Sequence, residues 1–202
     1  MLIPETKATT DFPIHELLAE RWSPDVFQDR MVLQADLRSL FEAARWAPSS
    51  YNEQPWSYIV ATKDNPEEFA ALLSCLVAGN QAWAKSAPVL ALGVVSLKLT
   101  RNGKLNRAAV HDLGLASGNL TVEATSRGLV VHQMIGILPE KAKQIYEVPD
   151  DWEVWTSLAI GYPGAQDPIQ AGAVKQRKRK VLNEFVFSGK WKNPSPFLHG
   201  AD

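Results

Sequence analysis

The stretch Ala47-Pro48-Ser49-Ser50-Tyr51-Asn52-Glu53-Gln54-Pro55-Trp56 decides how the rest of the chain is read. Before it, Leu37, Leu40, Phe41 and Ala44 recur at helical spacing; after it, Trp56, Tyr58 and Val60 alternate as in a half-buried strand. The stretch therefore ends a helix and begins a sheet. Its two prolines limit the backbone, while its serines and amides offer short, stiff donors and acceptors. Such groups suit the edge of a planar ligand. A helix stop followed by an Asx or Ser turn accounts for the same ten residues without a ligand.

Working outward, 202 residues fit one domain with room for a real core. Twenty-one basic and 22 acidic residues nearly cancel, so the overall field gives no reason to expect nucleic acid or an anionic membrane as the partner. Cys75 stands alone in an apolar run, which predicts a small buried side chain and rules out an internal disulfide. The N-terminus lacks the basic start and apolar core of a signal peptide, and no apolar run reaches membrane-spanning length. A soluble cytoplasmic protein is the expectation. Most of the seven tryptophans are expected in the core.

Residues 1–12 read as a loosely held arm. A short helix from Pro13, capped by Asp11, stops before Pro24 and leaves Arg21 and Ser23 in a turn. Further helices are expected from about Gln34 to Trp46 and Asn65 to Ala78, the latter capped by Asp64 or Asn65 with Pro66 in its first turn. Residues 87–95 are almost continuously apolar, as in a strand covered on both faces. The longest helical pattern, about Arg107 to Arg127, carries a seam of Gly114, Ser117, Gly118 and Thr121 that permits close helix packing, within the chain or between subunits. Gly128 ends it before a strand over 129–135. A helix from Pro139 to Tyr146 and a strand over 152–160 complete the patterned region. Residues 165–202 are too thin to fold alone and are expected to wrap around a partner subunit.

Several chemistries are missing. There is no dinucleotide-binding Gly-x-Gly-x-x-Gly, no phosphate loop and no Gly-x-Ser-x-Gly elbow. The four histidines are widely spaced and none stands at metal-ligand spacing with another or with Cys75. His111-Asp112 reads as a surface or packing pair. No protein nucleophile stands out.

Polar groups that can hold an anion or a flat ring occur in four separated segments. Arg21 and Ser23 combine a guanidinium fork with a hydroxyl, which suits a phosphate. Ser49, Ser50 and Asn52 supply neutral groups, and Asn80 an amide able to pair with a pyrimidine-like edge. Arg177 and Arg179 lie in the run Lys175–Lys180, where five of six residues are basic. Alone, that run reads as a solvated face or, less often, a nucleic-acid patch.

In this order and spacing the segments resemble the nitroreductase family of FMN-dependent oxidoreductases. Residues 47–56 resemble its Ala-Pro-Ser-x-x-Asn-x-Gln-Pro-Trp, and Arg21-Trp22-Ser23 the start of its Arg-Arg-Ser-x-Arg. Asn80-Gln81-Ala82-Trp83 and Ala87-Pro88-Val89 resemble its Asn-x-x-Trp and Ala-Pro-Val. Ile135-Gly136-Ile137 resembles its Gly-Phe turn, and Arg179-Lys180-Val181-Leu182 its Arg-Lys-Pro-Leu. The resemblance covers about residues 13–188 as a single domain.

It implies an α+β fold, a mostly antiparallel central sheet flanked by helices, in a homodimer with two FMN sites at the interface and an exchanged C-terminal arm. Arg21, Ser23, Arg177 and Arg179 would hold the phosphate and ribityl chain, with Trp22 beside them. Pro48, Ser49, Ser50 and Asn52 would line the ring from the partner subunit, and Asn80 would meet its pyrimidine edge. Ile135 and Gly136 would lie at the ring, with Gly136 presenting its N–H to flavin N5. NAD(P)H would deliver hydride to N5, and a nitroaromatic, quinone or related acceptor would collect the electrons in a ping-pong cycle. The flavin carries this chemistry and no side chain is needed as a base.

Trp22 and Asp25 stand where the family pattern has arginine, a lysine found near Trp83 in several members is missing, and Val181 replaces a proline. Less positive charge near the ring stabilises reduced flavin less. A flavin-binding protein with little turnover, a flavin-dependent enoyl reductase or dehydrogenase, and an interaction protein using the basic run are the alternatives.

Overall fold

The computed structural model describes residues 7–164 and 177–198. The chain begins with α1 (Glu16–Glu20) and α2 (Gln34–Arg45), then passes through a single 3-10 turn at Ser50–Asn52 into β1 (Trp56–Thr62). Next come α3 (Pro66–Leu73), α4 (Ala78–Ala84), β2 (Val89–Ser96) and the long α5 (Ala109–Ser126). β3 (Val130–Met134), α6 (Pro139–Tyr146) and β4 (Trp152–Gly161) follow.

The strands form one antiparallel sheet in the order β1-β2-β4-β3, with Trp56 opposite Val95, Leu90 opposite Ala159 and Val131 opposite Ile160. β2 is buried along almost its whole length, as its unbroken apolar run predicts. Its residues alternate between two cores. Leu90, Leu92 and Val94 point toward Phe69, Leu72 and Leu76, while Val89 and Ala91 point toward Leu40, Leu120 and Ile160. Helices α3, α4 and α6 therefore cover one face and α2 and α5 the other. The α+β architecture of an antiparallel sheet flanked by helices is thus the observed one.

Three local expectations need correction. The helix expected from Asn65 to Ala78 is two helices. Asn65 caps α3 by accepting from the Glu68 N–H, but Leu76 bridges to Ile137, and Leu138 N–H donates to Cys75 O at 2.7 Å. That pairing takes the backbone out of helical geometry, and α4 starts afresh at Ala78. α1 is shorter than expected, and its cap is His15, whose Nδ1 accepts from Leu17 N–H, rather than Asp11. The small-residue seam of α5 is divided: Ser117 and Thr121 are buried against the sheet, while Gly114 and Gly118 face open space.

Gly128, at φ +69°, ends α5 as expected, and Leu129 N–H returns to Ala124 O at 2.9 Å. Cys75 is fully buried. After residue 176 the chain forms short 3-10 turns and a small hairpin bridging Phe187 to Pro194. Residues 1–6, half of the arm expected over 1–12, lie outside the described residues, as do 165–176 and 199–202 of the C-terminal extension and so Lys175 and Gln176 of the basic run.

Candidate functional site

The arginines predicted to meet an anion converge. Arg177, 156 residues downstream, donates through Nη1 to Arg21 O and through Nη2 to Ala19 O at 2.8 Å, clamping the end of α1. Arg21 in turn donates to Ser23 Oγ at 3.2 Å. Burial lowers the Arg21 guanidinium below its ordinary pKa, and the charges of Arg177 and Arg179 lower it further. Arg177 is lowered by burial and by Arg179. Among the described residues no carboxylate forms an ion pair with any of the three. Crowded like charges without a counter-ion are a local cost that a bound anion relieves. Two Arg177 donors are already used, so it contributes to an anion with what remains of its fork.

Trp22 differs from its neighbours. Its side chain is 7% exposed and packs in the core beside Phe27 and Ala87. Asp25, where a family arginine would stand, is engaged by β3: His132 Nδ1 lies 2.9 Å from Pro24 O and 3.2 Å from Asp25 Oδ1. Two acceptors facing one ring nitrogen require that nitrogen to carry the proton. The His132 ring also stacks on Trp83 at 4.3 Å. Trp83 and Asn80 share α4, three residues apart, so contacts through His132 form a strip from the Pro24–Asp25 turn, just after Arg21 and Ser23, to the helix carrying Trp83 and Asn80.

At the end of that strip, Asn80 Nδ2 donates to Gly136 O at 2.9 Å, and Val77 N–H donates to the same oxygen at 3.0 Å. A Cβ on Gly136 would stand 2.3 Å from Asn80 Nδ2 and 3.0 Å from Val77 Cγ2, so the position admits only glycine without displacing Asn80. Ile135 beside it is 76% exposed. Among the described residues the Gly136 N–H engages no hydrogen bond.

The wall predicted at Pro48–Asn52 is built differently. Tyr51 (φ 54°), Asn52 (φ 56°) and Gln54 (φ 47°) are all left-handed. Asn tolerates this conformation, but Tyr and Gln pay about 1 to 3 kcal/mol each. The loop is held by Gln54 N–H donating to Ser49 Oγ at 3.0 Å, by Asn52 N–H donating to Ser49 O, and by Ser50 N–H donating to Asp112 Oδ2 at 3.0 Å. From the turn after β2, Thr100 N–H donates to Glu53 Oε2 at 2.9 Å and the Arg101 guanidinium lies 3.8 Å above the Tyr51 ring. These ties run to α5 and to the 97–106 turn, whereas Arg177 holds the end of α1 and Asn80 holds Gly136. The predicted residues are thus fixed as two walls by different hydrogen-bond partners, and α1 also packs against α5.

Sequence reading missed Asp112, His132 and Arg101. In the sequence His111-Asp112 reads as a surface or packing pair, and the buried Asp112 fits the packing reading, but an acid beside a histidine in a helix gives no sign of the segment it supports. Two concavities among the described residues are lined by residues of neither wall. One of about 560 Å³ between α2 and α5 is lined by Arg38, Glu42, Trp46, Glu123 and Arg127, and one of about 370 Å³ lies at Phe185–Trp191.

The sequence model described as the nitroreductase family matches residues 18–162. The chain belongs to the nitroreductase family. A solved structure described as an oxidoreductase containing FMN superposes with a TM-score of 0.85 at 29% identity, covering 92% of this chain and 96% of that one. The major NAD(P)H-flavin oxidoreductase of Aliivibrio fischeri is 25% identical over 204 residues, covering 82% of this chain and 94% of that protein. A nitroreductase family protein of Clostridium difficile shares the fold, with a TM-score of 0.68 at 23% identity over 86% of this chain and 96% of its own. Within the nitroreductase domain, the matched span begins in α1 and closes one residue after β4, so Arg177 and Arg179 lie beyond it.

Proposed function

We propose that this protein is an FMN-dependent NAD(P)H oxidoreductase that works as a homodimer and reduces nitroaromatics, quinones or related small acceptors. The observation that carries this reading is the corner where Arg21, clamped by Arg177 and close to Arg179, has no carboxylate partner among the described residues. A phosphate monoester there would receive charged hydrogen bonds of about 1.5 to 3 kcal/mol each, so three supply much of the roughly 8 kcal/mol of micromolar binding. The strip leading away from that corner fits the rest of the group, because Asn80 offers an amide and Gly136 a backbone N–H where no Cβ intervenes.

FMN, when bound, supplies the two-electron redox chemistry. The chain's own residues bind and orient it: Arg21, Ser23, Arg177 and Arg179 hold the phosphate and ribityl chain, and the Trp22 backbone carries the turn between the first two. Asn80, Ile135 and Gly136 meet the ring. Pro48, Ser49, Ser50 and Asn52 line it from the partner subunit. Donor and acceptor would occupy the same ring face in turn, giving ping-pong kinetics.

The test is a titration of purified protein with FMN, followed by NADH or NADPH with a panel of quinones, nitroaromatics and enones. A perturbed flavin spectrum and turnover with the first two classes are expected. Protein that stays colourless overturns the reading; turnover confined to enones supports the enoyl reductase alternative, and a bound flavin that no donor reduces supports a binding protein.

A further inference from the structure

Three non-glycine residues out of four in the Tyr51–Gln54 loop are left-handed, so something must hold the loop against its own preference. Among the ties on it, one comes from a buried charge. Asp112 lies in the first turn of α5 with its side chain 2% exposed. Its Oδ2 accepts from Ser50 N–H at 3.0 Å, and its Oδ1 faces His111 Nδ1 at 2.9 Å. The His111 ring itself is largely exposed. A buried carboxylate is retained only where hydrogen bonds and local dipoles compensate it; here the helix N-terminus, the Ser50 N–H and the imidazole do so together.

We propose that Asp112 is a positioning residue for the ring-facing wall, fixing the Ser50 backbone so that Ser49, Ser50 and Asn52 present their polar groups in one orientation. This rests on the flavin reading above. Asp112 does not itself touch the ring. It acts through one hydrogen bond to the residue at which the extended backbone of Ser49 gives way to the left-handed Tyr51. Rigid support from an element of the fold is what a binding wall built on a loop requires. The 97–106 turn supports the opposite side of the loop through Glu53 and Tyr51, which leaves Asp112 as the support of Ser50.

The test compares wild type, D112N and D112A by two readouts. In the protein without FMN, backbone amide exchange at Ser50 should quicken about 10- to 100-fold in D112A, the equivalent of losing a hydrogen bond to a charged group. With FMN added, D112A should bind more weakly and show an altered visible spectrum. D112N, which keeps an acceptor oxygen but loses the charge, should fall between the two in both readouts and also decides the matter if D112A does not fold. Wild-type values for D112N in both readouts overturn the proposal. So does faster Ser50 exchange in either variant with unchanged FMN affinity and spectrum. A wild type that takes no FMN overturns the flavin reading and the positioning role with it, whereas FMN binding by the wild type with D112A its equal overturns the positioning role alone.

Discussion

Replacing Arg21 by alanine separates binding from folding, because the two respond with opposite sign. In the free protein the Arg21 guanidinium is half-buried beside Arg177 and Arg179, and burial and like charge both lower its pKa. A base whose folded pKa lies below its unfolded value burdens the fold while both states are protonated, and that burden fades only as pH rises toward the ordinary arginine range. Ordinary buffers never reach that window, so mutation must expose it. The clamp from Arg177 ends on the Arg21 carbonyl, which alanine keeps. R21A should therefore melt at or slightly above the wild-type temperature without FMN. With FMN it should lose one charged hydrogen bond, about 1.5 to 3 kcal/mol, or roughly 10- to 150-fold in Kd. Flavin-fluorescence titration measures the affinity, and a thermal melt of the FMN-free protein measures the fold. Unchanged affinity would remove Arg21 from the phosphate site, and a large loss of stability without FMN would refute the argument from crowded charge.

Further outcomes follow from the same geometry. G136A should push Asn80 from its 2.9 Å bond to Gly136 O, costing about 1 to 3 kcal/mol of stability and weakening FMN binding; a melt and titration equal to wild type would show that the turn gives way freely. S50A should shift the bound flavin's spectrum or potential while leaving dimer mass by light scattering unchanged, and an intact spectrum and potential would return Ser50 to turn chemistry. Burial pushes the Tyr58 hydroxyl, bonded to Ser117 at 2.8 Å, up to about 12. A raised folded pKa contributes stability that is full below the unfolded value of 10 and lost as pH climbs through about 12. Denaturant melts should weaken over that interval, and Y58F should weaken less; equal slopes would contradict this. Tyr146, also pushed up to about 12, adds to the same decline.

Most of the fold was legible because its signals are local. The apolar run at 87–95, the period of α5 and Gly128 each fix an element through burial, spacing or backbone freedom. The split between α3 and α4 was not, since it arises from Leu76 pairing with Ile137, a contact 61 positions away that no window around Cys75 contains. The proposed site residues were singled out through motif order, and the structure brings Arg21 to Arg177 and Asn80 to Gly136. Trp22 carried the motif but buries its side chain, because alternate residues of an extended turn face opposite ways. The partners of Asp112 and His132 were not legible because each contacts the backbone of a distant segment, Ser50 in one case and Pro24 in the other.

The central claim is that these residues hold FMN and that NAD(P)H reduces it there. Anaerobic addition of NADH or NADPH to protein saturated with FMN tests it most directly, with the visible flavin band followed in time. Rapid bleaching with at least one donor, much faster than for free FMN, is the predicted result. Bleaching no faster than in free solution, or a flavin that passes through a gel-filtration column separately from the protein, would contradict it.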